Sequence, residues 1–333
     1  MKTLITGAGG FIGGAIARAL LAEGRELRSF ARGDYPALRE LGIDTLRGDL
    51  ADADAVREAA RGCQSVFHVA ARFDLWGRYE DFYRVNTLGT QNVIEACRAE
   101  GVSRLVYTST PSVVHGGGDV SGVDESAPYP EHFEAHYPAT KALAEQAVLA
   151  ANTEALRTCA IRPHLVWGPG DSSALPRLVA RARAGRVRQV GAPKLIDTCY
   201  IDNCVSAQLA AEERLAVANA ACAGHAYFVT QDEPVTGATF MNDMLAAADM
   251  PPVTKRVPAP VAKLAARGVE ALWRVLGKTS EPPITRFMVS TLSTDHYYDI
   301  SAARRDLGYE PSVSYAEGMR RLKAWVEETR PFG

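Results

Sequence analysis

The sequence predicts an α/β protein in which a doubly wound parallel sheet is joined to a smaller mixed α/β lobe. Over residues 1–168, short β-like runs alternate with amphipathic helix-like segments, which indicates parallel strands connected by crossover helices. A glycine-rich turn directly follows the first of these runs. Beyond residue 168, frequent prolines divide the chain into shorter elements. We therefore expect one large domain built on a parallel sheet and one smaller lobe.

The alternation defines the expected elements in order along the chain. In the first helix, Phe11, Ile16 and Leu20 fall on one face of a 3.6-residue period, and Gly24 stands where a helix would stop. The other elements follow from similar patterns. The expected strands are residues 3–6, 26–30, 45–46, 65–70, 104–109 and 158–162. The expected helices are residues 11–23, 54–60, 81–99 and 137–151.

Each of the two expected domains is discontinuous along the chain. We assign residues 1–168 and 197–230 to the large domain, and residues 169–196 and 231–333 to the lobe. The segment 198–215 is expected to return to the main sheet. The alanine-rich run 207–223 is expected to form a packed helix, because alanine has the highest helix propensity.

The composition is that of an ordinary globular protein and excludes several classes. The 333 residues are 47% hydrophobic with a net charge of −2, so no global basic field exists to hold nucleic acid or an anionic membrane. No apolar run is long enough to predict a transmembrane helix. The six cysteines form no CxxC pair, and the chain does not open with a secretory pattern. We therefore expect reduced thiols and a cytoplasmic protein.

The strongest functional signal lies at the first strand-to-helix turn. Residues 6–14 read TGAGGFIGG. Gly7 permits the tight turn, Gly10 lets the backbone approach a pyrophosphate, and Gly13 lets the helix pack closely on the strand. The N–H groups at the helix start attract an anion. Because this motif follows a predicted strand and opens a predicted helix, it predicts a dinucleotide-binding site.

The end of the second strand indicates which dinucleotide binds. An NAD site has an acidic residue there to accept a hydrogen bond from the ribose, but Ala31 occupies that position and Arg32 follows it. A guanidinium suits the 2′-phosphate of NADP(H). In the alternative interpretation, Arg32 is a solvated surface residue and Asp34 serves the ribose. We expect NADPH/NADP+ as the cofactor.

A tyrosine and a lysine provide the expected chemistry. Tyr137 and Lys141 are four residues apart, so they share one face of a predicted helix in which Pro138 suits the first position. A free phenol titrates near about 10, and an adjacent ammonium and a helix N-terminus would lower its pKa toward neutrality. The run 107–112 supplies hydroxyl groups that can hold a substrate oxygen. Together these groups predict acid–base catalysis.

These motifs, in this order, resemble those of the extended short-chain dehydrogenases/reductases over most of the chain. Within that family the sequence is most similar to the 3β-hydroxysteroid dehydrogenase branch, and more narrowly to bacterial olefin-biosynthesis reductases that act on 2-alkyl-3-oxoalkanoates. The narrower resemblance rests on residues 71–79 (ARFDLWGRY) and 137–141 (YPATK). The broader one rests on residues 6–13, 48–50 (GDL), 68–71 (HVAA), 85–90 (VNTLGT), 107–110 (YTST), 162–163 (RP), 167–170 (WGPG), 200–203 (YIDN) and 306–311 (DLGYEP).

The resemblance implies a role for each matched residue. Tyr137 would protonate the carbonyl oxygen during reduction, Lys141 would bind the nicotinamide ribose, and Thr110 would be the catalytic hydroxyl. Because serine is commoner than threonine at that position of the family, Ser109 or Ser112 could share its role. The implied cofactor-binding residues are Gly7, Gly9, Gly10, Phe11, Ile12, Gly13, Arg32, Asp49, Leu50, Ala70, Ala71, Asn86, Thr108, Tyr137, Lys141, Pro163 and Val166.

The implied function is the NADPH-dependent reduction of the ketone of a hydrophobic 2-alkyl-3-oxoalkanoic acid. One alternative is a 3β-hydroxysteroid dehydrogenase, with or without decarboxylation, which runs the same hydride step oxidatively. A second is a nucleotide-sugar epimerase, although the aromatic stretch 71–79 suits a hydrophobic substrate better. A third is a non-catalytic NADP(H)-sensing protein, which would not need a tyrosine–lysine pair. We expect a homodimer through helices 81–99 and 137–151, and association with other enzymes of its pathway is left open.

Three weaker patterns each keep more than one interpretation. An arginine cluster over residues 177–188, near Arg162, is expected to be a solvated helix face, or else a clamp for a substrate carboxylate. His115, His132 and His136 are expected to belong to a loop over the site, and no metal is predicted. The amphipathic segment 261–276 is expected to lie beside the substrate, with packing on a core or contact with a membrane surface as alternatives.

Overall fold

A computed structural model describes residues 2–332, and this part of the chain folds into an α/β structure. The strands are β1 (Lys2–Thr6), β2 (Glu26–Ala31), β3 (Asp44–Arg47), β4 (Cys63–His68), β5 (Arg104–Thr108), β6 (Val120–Val123), β7 (Arg157–Pro163), β8 (Val166–Trp167), β9 (Gln189–Val190), β10 (Leu195–Ile196), β11 (Cys199–Tyr200), β12 (His225–Val229), β13 (Val235–Thr236), β14 (Arg256–Val257) and β15 (His296–Tyr298). The α-helices are α1 (Phe11–Ala22), α2 (Pro36–Glu40), α3 (Ala53–Ala60), α4 (Tyr79–Phe82), α5 (Gly89–Ala99), α6 (His136–Ala150), α7 (Ala174–Arg183), α8 (Ile201–Leu215), α9 (Gly237–Ala247), α10 (Ala259–Val275), α11 (Arg286–Ser293), α12 (Ser301–Leu307) and α13 (Tyr315–Thr329). A π-helix (Tyr83–Leu88) joins α4 to α5, and a 3-10 helix (Pro111–Val114) follows β5.

Seven parallel strands form the large sheet, in the order β12-β7-β5-β4-β1-β2-β3. The chain runs outward in one direction from β1 through β2 to β3, and then returns to build the other half from β4 onward. In such a sheet, ligands bind beyond the carboxyl ends of the strands at the point where the order reverses. Here that point lies between β1 and β4.

Helices cover both faces of the large sheet. On one face, Ile16 of α1 and Ala211 of α8 belong to the same buried core. On the other, Val56 of α3, Ile94 of α5 and Val148 of α6 belong to a second core. All five residues of β5 are buried, as expected for a central strand covered on both sides. The predicted doubly wound sheet is therefore confirmed.

A smaller mixed sheet, β13-β10-β15-β6, accompanies the large one. Strands β10 and β13 are antiparallel, whereas the other two pairs are parallel. Two short parallel pairs join β8 to β11 and β9 to β14. This arrangement confirms the predicted smaller mixed lobe. Strand β6 was not predicted, and it brings a segment from the first half of the chain into a sheet otherwise formed by the second half.

The helix predicted over residues 81–99 is interrupted. The short helix α4 leads into the π-helix, and regular α-helical geometry begins only at Gly89. Within the π-helix, Asn86 and Thr87 direct their side chains to groups outside it, namely Arg72 and Thr140. A π-turn widens the helix locally and is often found at functional sites.

The segment 198–215 returns to the large sheet as helix α8, as expected, but the helix predicted over residues 207–223 needs correction. The strand in the segment 198–215 is β11, which pairs with β8 outside the large sheet. Helix α8 packs on the large sheet. The seventh strand of the large sheet is β12. The helix predicted over residues 207–223 ends at Leu215. The chain turns there because Val217 N–H bonds the Arg214 carbonyl and Asn219 adopts a positive φ of 55°. This turn, held by the Arg157 side chain that donates to the Val217 carbonyl at 3.1 Å, overrides the high helix propensity of alanine.

The amphipathic helix predicted near residue 261 is present as α10, but its orientation was not foreseen. Its buried residues are Ala262, Ala266 and Glu270. In contrast, the large apolar side chains Leu264 and Val275 are 72% and 84% exposed. One side of α10 therefore packs on a small core, while its large apolar side chains face outward; the place of α10 beside the substrate stays a prediction.

No helix within residues 2–332 is both long and apolar enough to cross a lipid bilayer. All six cysteines lie in this part of the chain, and each is a buried free thiol.

Candidate active site

The turn after β1 forms a cradle that only glycine can build. Gly7 has φ +76°, and a Cβ there would lie 3.0 Å from Ala70 Cα. A Cβ on Gly13 would lie 2.3 Å from the Gly7 carbonyl oxygen, so α1 could not approach β1 as closely. Helix α1 has Gly10 as its N-cap, with no side chain bonded to its first N–H groups. These free donors and the bare backbone fit the pyrophosphate of a dinucleotide.

A buried histidine fixes the wall of the cradle that faces Gly7. Thr6 Oγ1 accepts hydrogen bonds from the N–H groups of Val69 and Ala70, both at 3.2 Å. His68 bonds Thr6 Oγ1 through Nδ1 at 2.7 Å and Thr90 Oγ1 through Nε2 at 2.9 Å. Burial lowers the pKa of His68 to about 3, so the ring is neutral. The ends of β1 and β4 are thus joined by uncharged hydrogen bonds.

Two arginines lie together at the ends of β2 and β3. Arg32 and Arg47 line the same open depression, and Arg47 is paired in register with Ala31. Asp34, the alternative ribose partner, forms an ion pair with Arg39. Sequence reasoning found Arg32 but missed Arg47. The signal that could have found it was its place at the end of the next parallel strand.

The neighbouring residues Asp49 and Leu50 follow β3 at the same sheet edge. Asp49 forms an ion pair with Arg84 at 3.0 Å and accepts a hydrogen bond from the Ala51 N–H. Leu50 is buried against Gly89, where a Cβ would lie 2.7 Å from the leucine Cβ. Helix α5 therefore begins in close contact with this edge.

Lys141 is anchored to the end of the central strand β5. Its Nζ donates a hydrogen bond to the Thr108 carbonyl at 2.6 Å and lies 4.0 Å from the centre of the Tyr107 ring. The lysine is 2% exposed. Burial lowers the pKa of Lys141 to about 7, and the Glu145 carboxylate opposes this shift. The Thr108 hydroxyl accepts a hydrogen bond from the Gln208 side chain at 2.9 Å. The carbonyl and the hydroxyl oxygens of Thr108 therefore both have partners within the protein.

Tyr137 lies in the first turn of α6, which begins one residue earlier than predicted, with Ala135 as the N-cap. Pro138 is therefore the third helical residue, where a missing N–H costs nothing because first-turn donors have no partner within the helix. Burial raises the pKa of Tyr137 to about 12, although its hydrogen bond with Thr110 opposes this shift. The predicted lowering of this pKa is wrong because desolvation dominates while the Lys141 ammonium binds elsewhere. The phenol is thus protonated at neutral pH, as a proton donor must be.

Of the candidate hydroxyls, Thr110 is the one near enough to the Tyr137 phenol to affect its pKa. Thr110 Oγ1 donates to Ser112 Oγ at 3.2 Å and accepts from the Ser112 N–H at 3.2 Å. Ser109 Oγ is buried and has no hydrogen-bond partner within residues 2–332. Ser112 therefore orients Thr110, and the expectation that Ser109 shares its role has no supporting contact.

Asn86 holds the loop after β4 against α6. Its Oδ1 accepts the Arg72 N–H at 2.7 Å, and its Nδ2 donates to the Arg72 carbonyl at 2.9 Å and to Thr140 Oγ1 at 3.0 Å. Both amide hydrogens are used by the protein. Asn86 thus positions the residues around the site, and its predicted contact with the cofactor stays a prediction.

A buried ion pair below Lys141 was missed by sequence reasoning. Arg162 donates two hydrogen bonds to Glu145, at 2.9 Å and 2.6 Å, and Tyr129 donates a third at 2.7 Å. The side chains of Glu145 and Arg162 are 0% and 3% exposed. Glu145 is four residues after Lys141, on the same helix face as Tyr137, and this spacing was the available signal. Arg162, noted from the sequence only as lying near the arginine cluster, is therefore part of this buried pair.

The segment between β7 and β8 has strained backbone geometry. Leu165 adopts a positive φ of 43°, uncommon for a residue with a branched side chain, and it is 39% exposed. Pro163 and Val166, on either side of it, were predicted to bind the cofactor. Leu165 itself was not singled out from the sequence.

The loop 71–79 spans from the large sheet to the lobe. Arg177 of α7 lies 5.7 Å from the centre of the exposed Phe73 ring. Trp76 Nε1 donates to the Lys278 carbonyl at 3.1 Å, and Arg274 lies 5.3 Å from the Trp76 ring. This aromatic loop therefore contacts both α7 and the end of α10.

The arginine cluster is already paired. Arg177 and Arg181 share Glu281, at 3.6 Å and 2.9 Å, and Arg183 donates to the Phe332 carbonyl. These contacts favour the solvated helix face over a carboxylate clamp.

The histidines noted in the sequence have separate partners. His115 bonds Thr294 at 3.2 Å, and the ring of His136 lies 5.6 Å from that of Tyr79. Within residues 2–332, no three side chains of metal-ligand type lie close enough together to hold an ion.

Comparison with known families identifies the chain. Residues 4–258 match the 3-beta hydroxysteroid dehydrogenase/isomerase family. The chain belongs to this family. It is 49% identical to the 2-alkyl-3-oxoalkanoate reductase of Stenotrophomonas maltophilia, covering 97% of this chain and 99% of that protein. It is 46% identical to the 2-alkyl-3-oxoalkanoate reductase of Shewanella oneidensis, covering 96% of this chain and 85% of that protein.

Solved structures support the fold. A double mutant of the dTDP-glucose 4,6-dehydratase DesIV from Streptomyces venezuelae, with NAD bound, matches with a TM-score of 0.75 and 22% identity. The match covers 99% of this chain and 98% of that one. At this identity the likeness concerns the fold alone. Family and fold together make this chain a nicotinamide-dependent oxidoreductase of the extended short-chain dehydrogenase/reductase class.

Proposed function

We propose that this enzyme reduces the ketone of a hydrophobic 2-alkyl-3-oxoalkanoic acid to the 2-alkyl-3-hydroxy acid, with NADPH as the cofactor. The observation that carries the proposed chemistry is the placing of Tyr137 in the first turn of α6, near Thr110 and one helical turn before the buried Lys141 at the end of β5. The substrate class comes from the two relatives, at 49% and 46% identity, that bear this name. The aromatic loop 71–79 is consistent with an apolar substrate.

The residues of the chain supply binding, positioning and a proton. Gly7, Gly10 and Gly13 would hold the pyrophosphate, and Lys141 the nicotinamide ribose. The bound nicotinamide would supply the hydride to the carbonyl carbon. Thr110 would position the carbonyl oxygen by a hydrogen bond, and Tyr137 would donate its proton to that oxygen. The Lys141 ammonium would then stabilise the phenolate left behind.

The choice of substrate is tested by following NADPH oxidation with a panel of 2-alkyl-3-oxo acids, oxidised sterols and nucleotide sugars. We expect turnover with the oxo acids only. Preference for sterols would favour the 3β-hydroxysteroid dehydrogenase alternative, and turnover of nucleotide sugars would favour the epimerase. Cofactor binding without turnover of any substrate would favour the NADP(H)-sensing alternative.

The preference for NADPH is supported by the arginine pair at the ends of β2 and β3. A charge-assisted hydrogen bond contributes about 1.5–3 kcal/mol, so Arg32→Ala or Arg47→Ala should weaken NADPH binding by roughly ten- to a hundredfold. Binding of NADH should change little. Arg39→Ala is the matched control, because Arg39 is nearby but paired with Asp34. Equal affinity of the unmodified enzyme for NADH and NADPH would contradict the cofactor assignment but not the reduction itself.

A homodimer is also part of this proposal. Leu143 of α6 is 43% exposed and Leu88, directly before α5, is 36% exposed, so these helices present apolar side chains that a second copy could cover. Leu143→Glu should shift the mass measured by light scattering from dimer to monomer. A monomeric unmodified enzyme would contradict the proposal. The cytoplasmic location remains a prediction.

A further inference from the structure

Helix α10 presents a continuous apolar face to solvent. Val261, Leu264, Leu272 and Val275 are 57%, 72%, 50% and 84% exposed. Their spacings of three, eight and three residues place them on one side of a helix with 3.6 residues per turn. Exposed apolar side chains are ordinary when scattered, but a contiguous stripe of them indicates a surface that binds something.

The buried side of α10 shows that this orientation is fixed. Ala262 and Ala266 pack in a small core with Val289. Glu270, on the same side, accepts hydrogen bonds from the backbone N–H of Arg286 at 2.7 Å and from the Arg286 side chain at 2.8 Å. If the helix rolled to bury its large apolar residues, Glu270 would lose these bonds and the small core would open. The exposed stripe is therefore a stable feature of the fold.

The flank of the stripe is strongly basic. Residues 255–286 contain seven lysines and arginines but two acidic residues, in a chain with a net charge of −2. Lys263, Arg267 and Arg274 lie on one side of α10, next to the apolar face. Both acidic residues, Glu270 and Glu281, are engaged in ion pairs with arginines. The uncompensated charge along this surface is positive.

The stripe adjoins the aromatic loop of the site. Trp76 is bonded to the Lys278 carbonyl just after α10, and Arg274 lies over the Trp76 ring. A surface that rests on α10 would therefore lie next to the loop 71–79.

We propose that α10 docks this enzyme onto the surface of an anionic lipid bilayer. Val261, Leu264, Leu272 and Val275 enter the boundary of the acyl chains, and Lys263 and Arg267 contact the headgroups, whereas Arg274 is paired with Glu270 at 3.1 Å. An apolar stripe flanked by basic side chains is the pattern of a helix that lies in the membrane interface. A second copy of the chain fits less well, because its own basic flank would face this one. The inference does not depend on the substrate assigned above.

The test is flotation of the full chain with lipid vesicles at low ionic strength. We expect it to float with phosphatidylglycerol–phosphatidylcholine vesicles and not with pure phosphatidylcholine. Leu264→Glu combined with Val275→Glu should weaken this binding at least about tenfold, because two apolar anchors become charged. Lys263→Gln and Arg267→Gln should each weaken it about fivefold, the effect of one basic residue near an anionic surface. Higher salt should also reduce the binding.

Val217→Glu is the matched control, since Val217 is 59% exposed but follows α8 rather than lying on α10. It should leave vesicle binding unchanged, and all variants should keep their unfolding temperature because the altered side chains are exposed. The proposal is overturned if the unmodified enzyme fails to float with the anionic vesicles. It is equally overturned if Leu264→Glu with Val275→Glu floats as well as the unmodified enzyme, or if that variant instead loses self-association. Capture by neutral vesicles to the same extent would contradict the role of the basic flank.

Discussion

The carboxyl edge of the large sheet and helix α10 in the second half of the chain distribute polar and apolar groups in opposite ways. At the sheet edge, Lys141, Glu145 and Arg162 are 2%, 0% and 3% exposed. On α10, Leu264 and Val275 are 72% and 84% exposed. Burying a charge is costly unless it is paired, and exposing a contiguous apolar face is unfavourable unless something covers it. Each region therefore departs from the usual burial pattern where it has a function. The sheet edge buries charged groups for the proposed chemistry, and α10 exposes apolar side chains for the proposed attachment to a membrane surface.

The largest expected effect is the loss of activity when the proton donor at the sheet edge is removed. Tyr137→Phe should lower kcat by about a thousandfold, since a positioned proton donor contributes roughly 10²–10⁴ to a rate. The Kd for NADPH should stay within about twofold, because the cradle lies at the end of β1. Single-turnover kinetics and equilibrium titration measure the two effects. Tyr297→Phe, at a half-buried tyrosine of β15, is the control, and a near-normal kcat for Tyr137→Phe would exclude Tyr137 as the donor.

The buried ion pair should matter far more to stability than an exposed one. Glu145→Gln should destabilise the fold by about 3–5 kcal/mol, because it leaves the Arg162 charge buried without its partner. Glu95→Gln, in the exposed pair with Arg98, should leave the unfolding midpoint nearly unchanged. Denaturant unfolding measures both.

A double variant separates loss of charge pairing from loss of packing. Glu145→Leu with Arg162→Met removes both charges and should be more stable than Glu145→Gln alone. Equal destabilisation of the single and double variants would show that packing, not charge pairing, sets the effect.

A glycine-to-alanine substitution should change the stability of the fold in opposite directions in the two regions. Gly13→Ala places a Cβ 2.3 Å from the Gly7 carbonyl, so it should weaken the fold by about 1–3 kcal/mol and reduce NADPH affinity. Gly268→Ala on α10 meets no atom within 4 Å and should stabilise the fold by about 0.5–1 kcal/mol. Thermal unfolding with and without NADPH reads out both changes. A tolerated Gly13→Ala would contradict the close approach of α1 to β1.

The pH dependence of reduction tests whether the charge of the buried Lys141 is needed for activity. The pKa of Lys141 is lowered to about 7, so its ammonium is charged below that pH and increasingly neutral above it. The value of kcat/KM should therefore fall above about pH 7, approaching tenfold per pH unit, while Tyr137, with a pKa of about 12, stays protonated. Lys141→Arg keeps a positive charge and should remove this decline, at a lower overall rate. If the decline persists in Lys141→Arg, another group causes it.

Much of the large sheet could be predicted from the sequence because its signals are local. The helix period around Phe11, the glycines after Thr6 and the four-residue spacing of Tyr137 and Lys141 each lie within a short stretch of chain. Parallel strands place their carboxyl ends at one edge, so local motifs there converge without further information. This is why the fold class and the proposed catalytic pair followed from the residues.

Other parts of the site depend on partners distant in sequence. Arg162 lies 17 residues from Glu145, and Arg47 meets Arg32 across neighbouring strands. The π-helix at Asn86 depends on its bonds to Arg72 and Thr140, which no periodicity reveals. The overall composition did not reveal the basic flank of α10 either, because the net charge is a sum over the whole chain.

The sequence alone determined that residues near 261–276 form an amphipathic helix, but the tertiary structure decided which face turned inward. An amphipathic pattern indicates that a helix has two different sides. Which of the two sides is buried depends on the neighbouring surface against which the helix packs. Here that surface has room for Ala262 and Ala266 and offers Arg286 to Glu270, so the small and acidic side is buried. The same holds for the pKa of Tyr137, which the neighbouring lysine alone would lower but which desolvation by the folded chain raises.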